Sequence, residues 1–522
     1  MAAERWTVPA LIGRWARAQP DKPFVVADGH VLTYGDLDAA TEVVAAQLLS
    51  AGLTKGSRVG LMMPNGTEWA VAALGVARCG AVLVPLSTLL RPPELEAQLR
   101  ISGVEHLIVV PSFRGRDYTG DLAAISPSLV PGDGALFDPV LPRLRSITVW
   151  TEPPADPGGV PPAVVHAAEV SVRPADDLAI IFTSGSSGQP KGVIHTHGGA
   201  LGATEAGLGI RCLGPDDRLY IPMPFFWVGG LGTGLLSVLL CGATLVSEAQ
   251  PEPERTLRLL ATAGVTLFRG WPDQAAALAA HPHFACTDLG SLRDGSLDAL
   301  LPEHRRSAHG ARAPLLGMTE TFGPYSGAPL DRDLPAGKEG SCGQPFVGVD
   351  VRIVDVETRH SVAPGSPGEI LVRGPNLMRG ICGRLRSDVF TVDGFYPTGD
   401  LGRLDADGYL YYDGRLDDMF KVKGASVYPS EVEEVLNSLP SVRRAVVVDV
   451  VDGAVVHVAA AVVSRTGATC AAEELEREAR SKLSSFKVPT RWAIIDAGDL
   501  PITATGKVDR ARLRGLFSSP GS

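Results

Sequence analysis

Ile180–His197 reads IIFTSGSSGQPKGVIHTH: the apolar run Leu178–Phe182 breaks into Thr183, Ser184, Gly185, Ser186, Ser187, Gly188, Gln189, Pro190, Lys191 and Gly192. The β-branched run predicts a strand feeding a glycine loop. Glycines let main-chain N–H groups close on phosphate oxygens, four hydroxyls add donors and Lys191 adds charge, so the loop has the makings of a triphosphate cradle. It is not a Walker A loop, which needs Gly-Lys-Ser/Thr opening a helix, whereas Lys191 lies between Pro190 and Gly192. Taken alone, such a Gly/Ser stretch reads equally as a flexible surface loop.

Outward from the loop, short β-like runs (RVGLMM, AVLVPL, HLIVV) alternate with Ala-rich segments of helical period, Leu37–Leu49 and Glu68–Arg78. That alternation predicts βαβ units in a parallel sheet, an α/β fold. Ser126–Pro174, rich in Pro, Gly and Asp, reads as a long surface excursion. Between Gly340 and Tyr412 the pattern shifts to short runs (VDVRIVD, GEILVRG, YLYYDG) punctuated by Gly and Pro, as in a small β-subdomain. After Gly414 the polar stretch RLDDMFKVKG leads to a helix opening at Ser430, two β-runs and a charged helix, Glu473–Leu483. The expectation is a large domain over residues 1–414 and a small mobile α+β domain over 415–522, about a hundred residues long.

The chain of 522 residues favours more than one domain, and its 45% hydrophobic and 20% charged residues are those of an ordinary globular protein. A net charge of -10 argues against nucleic acid or an anionic membrane as the main partner. Apolar runs such as Gly234–Leu240 are too short to cross a bilayer, so no integral membrane segment is expected. Seven single cysteines (Cys79, Cys212, Cys241, Cys286, Cys342, Cys382 and Cys470), without zinc-ligand spacing, read as reduced thiols of a cytoplasmic protein. The N-terminus has Glu4, Arg5, Arg14 and Arg17 where a signal peptide needs an apolar stretch.

The phosphate loop has companions in order along the chain: LTYGDLDAATEVVAAQLLSAGL, RVGLMMPNGTEWAVAALGVARCGAVLVPL, GMTE at Gly317–Glu320, YPTGDLG, DGRLDDMFKVKG and PITATGKVDR. Together they resemble the acyl-adenylate-forming (AMP-binding) superfamily, most closely acyl-CoA synthetases, over nearly the whole chain. The resemblance implies that Thr183, Ser184, Gly185, Ser186, Ser187, Gly188 and Lys191 hold the ATP phosphates. It further implies that Gly317, Met318 and Thr319 contact the nucleotide, that Gly295 and Ser296 lie near adenine, and that Asp400 and Arg415 bind ribose or phosphate. Glu320 becomes the carboxylate for Mg²⁺, and Thr319, Glu320 and Lys507 the catalytic set. A cation held largely by triphosphate oxygens needs only one or two protein carboxylates. Lys507 offsets the repulsion between a carboxylate and the α-phosphate, and no general base is needed for an acid already ionised at neutral pH.

The implied cycle forms an acyl-adenylate, rotates the small domain about a hinge at Asp417, and presents Lys423, Gly424, Ala425 and Ser426 to coenzyme A. The acyl pocket is assigned to Phe226, Trp227, Gly229, Gly230, Gly317 and Phe322, with Trp227 where many members carry histidine. Amino-acid-activating relatives carry an aspartate beside this aromatic; Val228, Gly229 and Gly230 offer no counter-charge to a buried ammonium, so the acid expected lacks an α-amino group. Leu316, Gly295–Leu297 and RGICGRLRSDVF depart from the usual family pattern. The expected function is thus an ATP-dependent, AMP-forming ligase that joins a fatty or other non-amino carboxylic acid to CoA. A stand-alone acyl-AMP ligase loading a carrier protein, or a catalytically silent nucleotide- or acyl-binding homologue, is the alternative, and the sequence is compatible with a homodimer.

Overall fold

The computed structural model describes residues 6–132, 135–184, 190–308, 310–416, 420–427, 429–453, 455–465, 470–502 and 508–517. The chain forms two compact units: Met1–Thr88, Leu99–Phe182 and Gly192–Leu416 in one, and Leu89–Gln98, Thr183–Lys191 and Asp417–Ser522 in the other. The fold class is the expected α/β, with a large N-terminal domain and a small C-terminal one.

Two mainly parallel sheets carry the large unit. Around Arg58–Met62 the seven-stranded sheet sets Val82–Pro85 on one side and His106–Val109 on the other, both parallel. The five-stranded sheet runs Leu267–Phe268, Arg218–Tyr220, Thr244–Ser247, Pro23–Ala27, His30–Thr33, and only its last pair is antiparallel. The helix Thr67–Arg78 is buried along Trp69–Arg78, as befits a helix apolar all round. It meets the helix Tyr34–Ser50 so closely that a Cβ on Gly75 would lie 2.5 Å from Val44. The small residues of AALGVA permit that approach.

Ser126–Pro174 is more ordered than its composition predicts. Ser146–Val149 pairs in parallel with His106–Val109 as the outer strand of the seven-stranded sheet, and Pro162–Ser171 is a helix. A four-residue strand and a helix that buries only Val165 leave little periodicity to detect.

The β-subdomain is a four-stranded antiparallel sheet, Asp350–Val354, Gly368–Arg373, Tyr396–Leu404 and Leu410–Arg415. Its Ile353, Ile370, Val372 and Tyr396 share one apolar cluster with Val193 and Tyr325, with Leu316 and Met318 packed against it. The strand Pro190–Thr196 after the glycine loop, the GMTE hairpin and the TGD strand are therefore braced by a common core.

The small unit contains an antiparallel hairpin, Val442–Asp452 with Val455–Ser464, extended in parallel by Arg491–Ile495. The helices Pro429–Asn437 and Ala472–Lys482 supply Val432, Leu436, Leu475 and Ala479 to its core. The seven cysteines form no disulfide. Among the described residues no helix is long and apolar enough to cross a membrane.

Candidate active site

GMTE lies on a hairpin. Leu316–Met318 pairs with Gly323–Gly327, and Thr319–Thr321 forms a single 3₁₀ turn at its tip. Gly317 faces Pro324 so closely that a Cβ would fall 2.3 Å from the Gly323 carbonyl oxygen and 2.4 Å from Pro324 Cα. The turn is tied from outside. His195 Nε2–H donates to the Thr319 carbonyl at 2.9 Å, and the Met378 N–H donates to the Glu320 carbonyl at 2.9 Å. Burial holds the His195 imidazole down at about 4, so the ring is neutral, which suits one nitrogen donating. The Glu320 side chain is buried, and its Oε1 accepts from the Tyr396 hydroxyl at 3.0 Å.

Asp400 is buried in the strand Tyr396–Leu404 and stands opposite Arg415 in register. The turn before it is fixed by Glu369, whose Oε1 accepts from the Gly399 N–H at 3.1 Å while its other oxygen meets the Arg359 guanidinium. The Asp400 N–H donates to Thr398 Oγ1 at 3.0 Å. Close by, the Tyr325 phenol is pushed well above its usual range by burial and by the Asp400 carboxylate, and its hydroxyl has no partner among the described residues.

The PMPFFWVGG segment hangs on a buried asparagine. Asn65 donates to the Met223 carbonyl at 2.9 Å and accepts from the Phe225 N–H at 2.7 Å. Phe226 is buried and Trp227 half-buried, their rings edge-to-face at 5.5 Å. Gly229 opens a π-helical turn, Gly229–Leu236, of the kind that marks functional sites. A Cβ on Gly230 would strike the Pro224 carbonyl at 2.1 Å. Phe322, left-handed at φ 54, puts its ring 4.8 Å from that of His195, and a Cβ on Gly232 would lie 3.0 Å from it. Gly229 and Gly230 thus lie on the π-turn with Phe226 and Trp227 just before it, Gly317 and Phe322 lie on the GMTE hairpin, and the two segments touch through Phe322 and Gly232.

Thr183 and Ser184 end the strand Asp177–Ser184, and Lys191 sits in the strand Pro190–Thr196. Gly295 is left-handed at φ 91, while Ser296 is buried with its hydroxyl accepting from the Phe268 N–H at 3.1 Å. Lys423 and Gly424 form the two-residue turn between Phe420–Val422 and Ala425–Val427, both with positive φ as such hairpins require. Ala425 is buried, so the turn itself is the exposed feature. Gly185, Ser186, Ser187, Gly188, Asp417 and Lys507 lie outside the described residues, as do the side chains of Ser184, Arg415 and Ser426. Among the described residues no group of three or more His, Cys, Asp or Glu could hold a metal. Sequence reasoning missed Asn65, His195, Glu369 and Tyr396, whose work is to hold other residues in place.

The model of the AMP-binding enzyme family matches residues 12–382, and that of its C-terminal domain matches residues 431–507. The chain belongs to the AMP-binding enzyme family. A feruloyl-CoA synthase of Amycolatopsis sp. is 32% identical over 97% of this chain and 99% of its own length. An indoleacetate–CoA ligase of Aromatoleum aromaticum is 30% identical over 97% of each. Among solved structures, the amide bond synthetase McbA of Marinactinospora thermotolerans superposes with a TM-score of 0.78 at 26% identity, covering 97% of this chain and 99% of that one. ATP-bound MatB of Rhodopseudomonas palustris does so with a TM-score of 0.62 at 25% identity, covering 98% and 99%. Like the feruloyl-CoA synthase and the indoleacetate–CoA ligase, the protein is an acid–thiol ligase of the AMP-forming CoA synthetase kind, working on a small-molecule acid with ATP and CoA.

Proposed function

We propose that the protein activates a fatty or other carboxylic acid without an α-amino group as its acyl-adenylate and passes the acyl group to CoA. The observation that carries this reading is the joining of GMTE and YPTGD in one buried core, with Glu320 and Asp400 both sequestered and both braced. Sequestered acids at fixed positions suit a nucleotide's ribose hydroxyls and its bound cation, which they can hold with defined geometry.

In the first half-reaction the substrate carboxylate attacks the α-phosphorus, forming the acyl–phosphate bond and releasing pyrophosphate. The loop Thr183–Lys191 would cradle the departing phosphates, Asp400 would take the ribose hydroxyls, and Lys507 would offset charge between the reacting anions. Glu320 suits Mg²⁺, a hard cation that keeps most of its ligands from phosphate and water, and that cation, when bound, would neutralise phosphate charge. In the second half-reaction the small unit would turn about Asp417 and bring the Lys423–Ser426 turn to CoA, whose sulfur attacks the acyl carbon, expels AMP and loses its proton to solvent.

The apolar residues that flank Trp227 in sequence support an acid without an ammonium, since none of Phe226, Val228, Gly229 or Gly230 carries a counter-charge. Unpaired cysteines support a reducing, cytoplasmic setting. The likeness to an amide bond synthetase favours an amine as a second acceptor beside CoA. AMP release measured across aliphatic, aromatic and amino acids, with CoA, a carrier protein or an amine as acceptor, tests the choice of acid and of acceptor. Thioester formation with CoA from a non-amino acid is expected; turnover only with a carrier or an amine overturns the choice of acceptor.

A further inference from the structure

We infer that Tyr396 is a positioning residue for the cation carboxylate: its phenol clamps one oxygen of Glu320 so that the other is presented singly to the metal of the metal–nucleotide complex. The inference rests on the reading of Glu320 as the Mg²⁺ carboxylate. Glu320 and Tyr396 are far apart in sequence, yet the hydroxyl reaches Oε1 at 3.0 Å with both side chains buried. Oε2 has no hydrogen-bond partner among the described residues, and it is not one of the fully enclosed unpartnered atoms. One oxygen is therefore spoken for and the other open.

The backbone around the pair is fixed on both sides. The Glu320 main chain is held by Met378 and the preceding carbonyl by His195. Tyr396 opens the strand Tyr396–Leu404, opposite Val372, with its ring edge-to-face with Phe390 at 6.0 Å. Neither end can drift, so the hydroxyl sets the carboxylate's rotation. Such a restraint matters for Mg²⁺, which demands near-octahedral geometry and tolerates poorly a carboxylate that swings into two-oxygen chelation. Partners of ligating carboxylates elsewhere carry about 10–100-fold in metal affinity. The same hydrogen bond ties the TGD strand to the GMTE turn, so the cation and ribose carboxylates are set by one framework.

The test is Mn²⁺ binding, read by electron paramagnetic resonance of the free ion, in the presence of a non-hydrolysable ATP analogue. Wild type, Tyr396→Phe, Glu320→Gln and the double variant are compared, with thermal melts beside them. Tyr396→Phe keeps the ring against Phe390 and removes the hydroxyl that donates to Glu320. We expect it to raise the Mn²⁺ dissociation constant about tenfold, with KM for the acid unchanged. Glu320→Gln should weaken Mn²⁺ at least as much, and adding Tyr396→Phe to it should change nothing further. Para-aminophenylalanine at position 396, which restores a donor, should recover most of the affinity and serves if Tyr396→Phe folds poorly. Weakened binding in Glu320→Gln with wild-type binding in Tyr396→Phe overturns the positioning role alone. Wild-type binding in both overturns it together with the assignment of Glu320.

Discussion

Gly317→Ala perturbs the site through its backbone. The added Cβ would sit 2.3 Å from the Gly323 oxygen and 2.4 Å from Pro324 Cα, where real Cβ atoms essentially never come under 3.0 Å. Both obstacles are main-chain atoms of the facing strand, so no side chain can swing aside and the hairpin must open. Overpacking of this kind costs about 1–3 kcal/mol. The strain lands on the Thr319–Thr321 turn that carries Glu320, and a misplacement of about 1 Å in a reacting geometry costs about 100-fold in rate. Equilibrium denaturation and ATP–pyrophosphate exchange measure the two effects separately. Gly209→Ala, at a position with nothing within 4 Å and no left-handed backbone, is the control and should leave both near wild type. A Gly317→Ala enzyme that exchanges pyrophosphate at the wild-type rate would refute the claim that this hairpin sets the position of Glu320.

Glu369→Ala removes the acceptor for the Gly399 N–H, and the loosened turn should raise the KM for ATP by roughly tenfold, about 1–2 kcal/mol, without changing the KM for the acid; equal rises in both would show general unfolding instead. Burial lowers His106 and His197 to about 4 against an ordinary 6.5, so both are neutral in the fold while the unfolded chain takes up protons below 6.5. Their contribution is complete above pH 6.5 and is lost as the pH falls toward 4, up to about 3 kcal/mol for each. Chemical denaturation at a series of pH values should therefore show stability rising with pH across that window, with a shallower slope in His106→Gln, whose neighbours Ser146 and Thr148 hydrogen-bond the ring at 2.5 and 3.2 Å. An unchanged slope in that variant would contradict the assignment.

Much of this architecture was legible where local pattern and tertiary role coincide. RVGLMM, AVLVPL and HLIVV are strands because they are buried on both faces of a parallel sheet, and such strands read as continuous apolar runs. The helix Thr67–Arg78 and the hairpin Val442–Ser464 are similarly announced by their composition. Ser146–Val149 escaped notice because its strand character depends on an edge supplied by His106–Val109. The π-turn Gly229–Leu236 escaped because its glycines argue for a loop, and the close approaches of Gly230 to Pro224 and of Gly232 to Phe322 exist only in the fold. The chemical motifs of the candidate site stand out in the sequence, whereas the residues that orient them do not. Asn65 reaches Phe225 and Tyr396 reaches Glu320 only after the chain has folded, and neither residue type stands out where it occurs.

The acyl-adenylate is the centre of the account, and Lys507→Ala interrogates it most directly when the two half-reactions are assayed apart. Pyrophosphate exchange with a non-amino acid reports adenylation, and conversion of a supplied acyl-adenylate to acyl-CoA reports thiolysis. The variant should lose the first severely, since no ammonium then offsets the repulsion between carboxylate and α-phosphate, and should keep the second. Equal loss of both, or exchange at the wild-type rate, would contradict it.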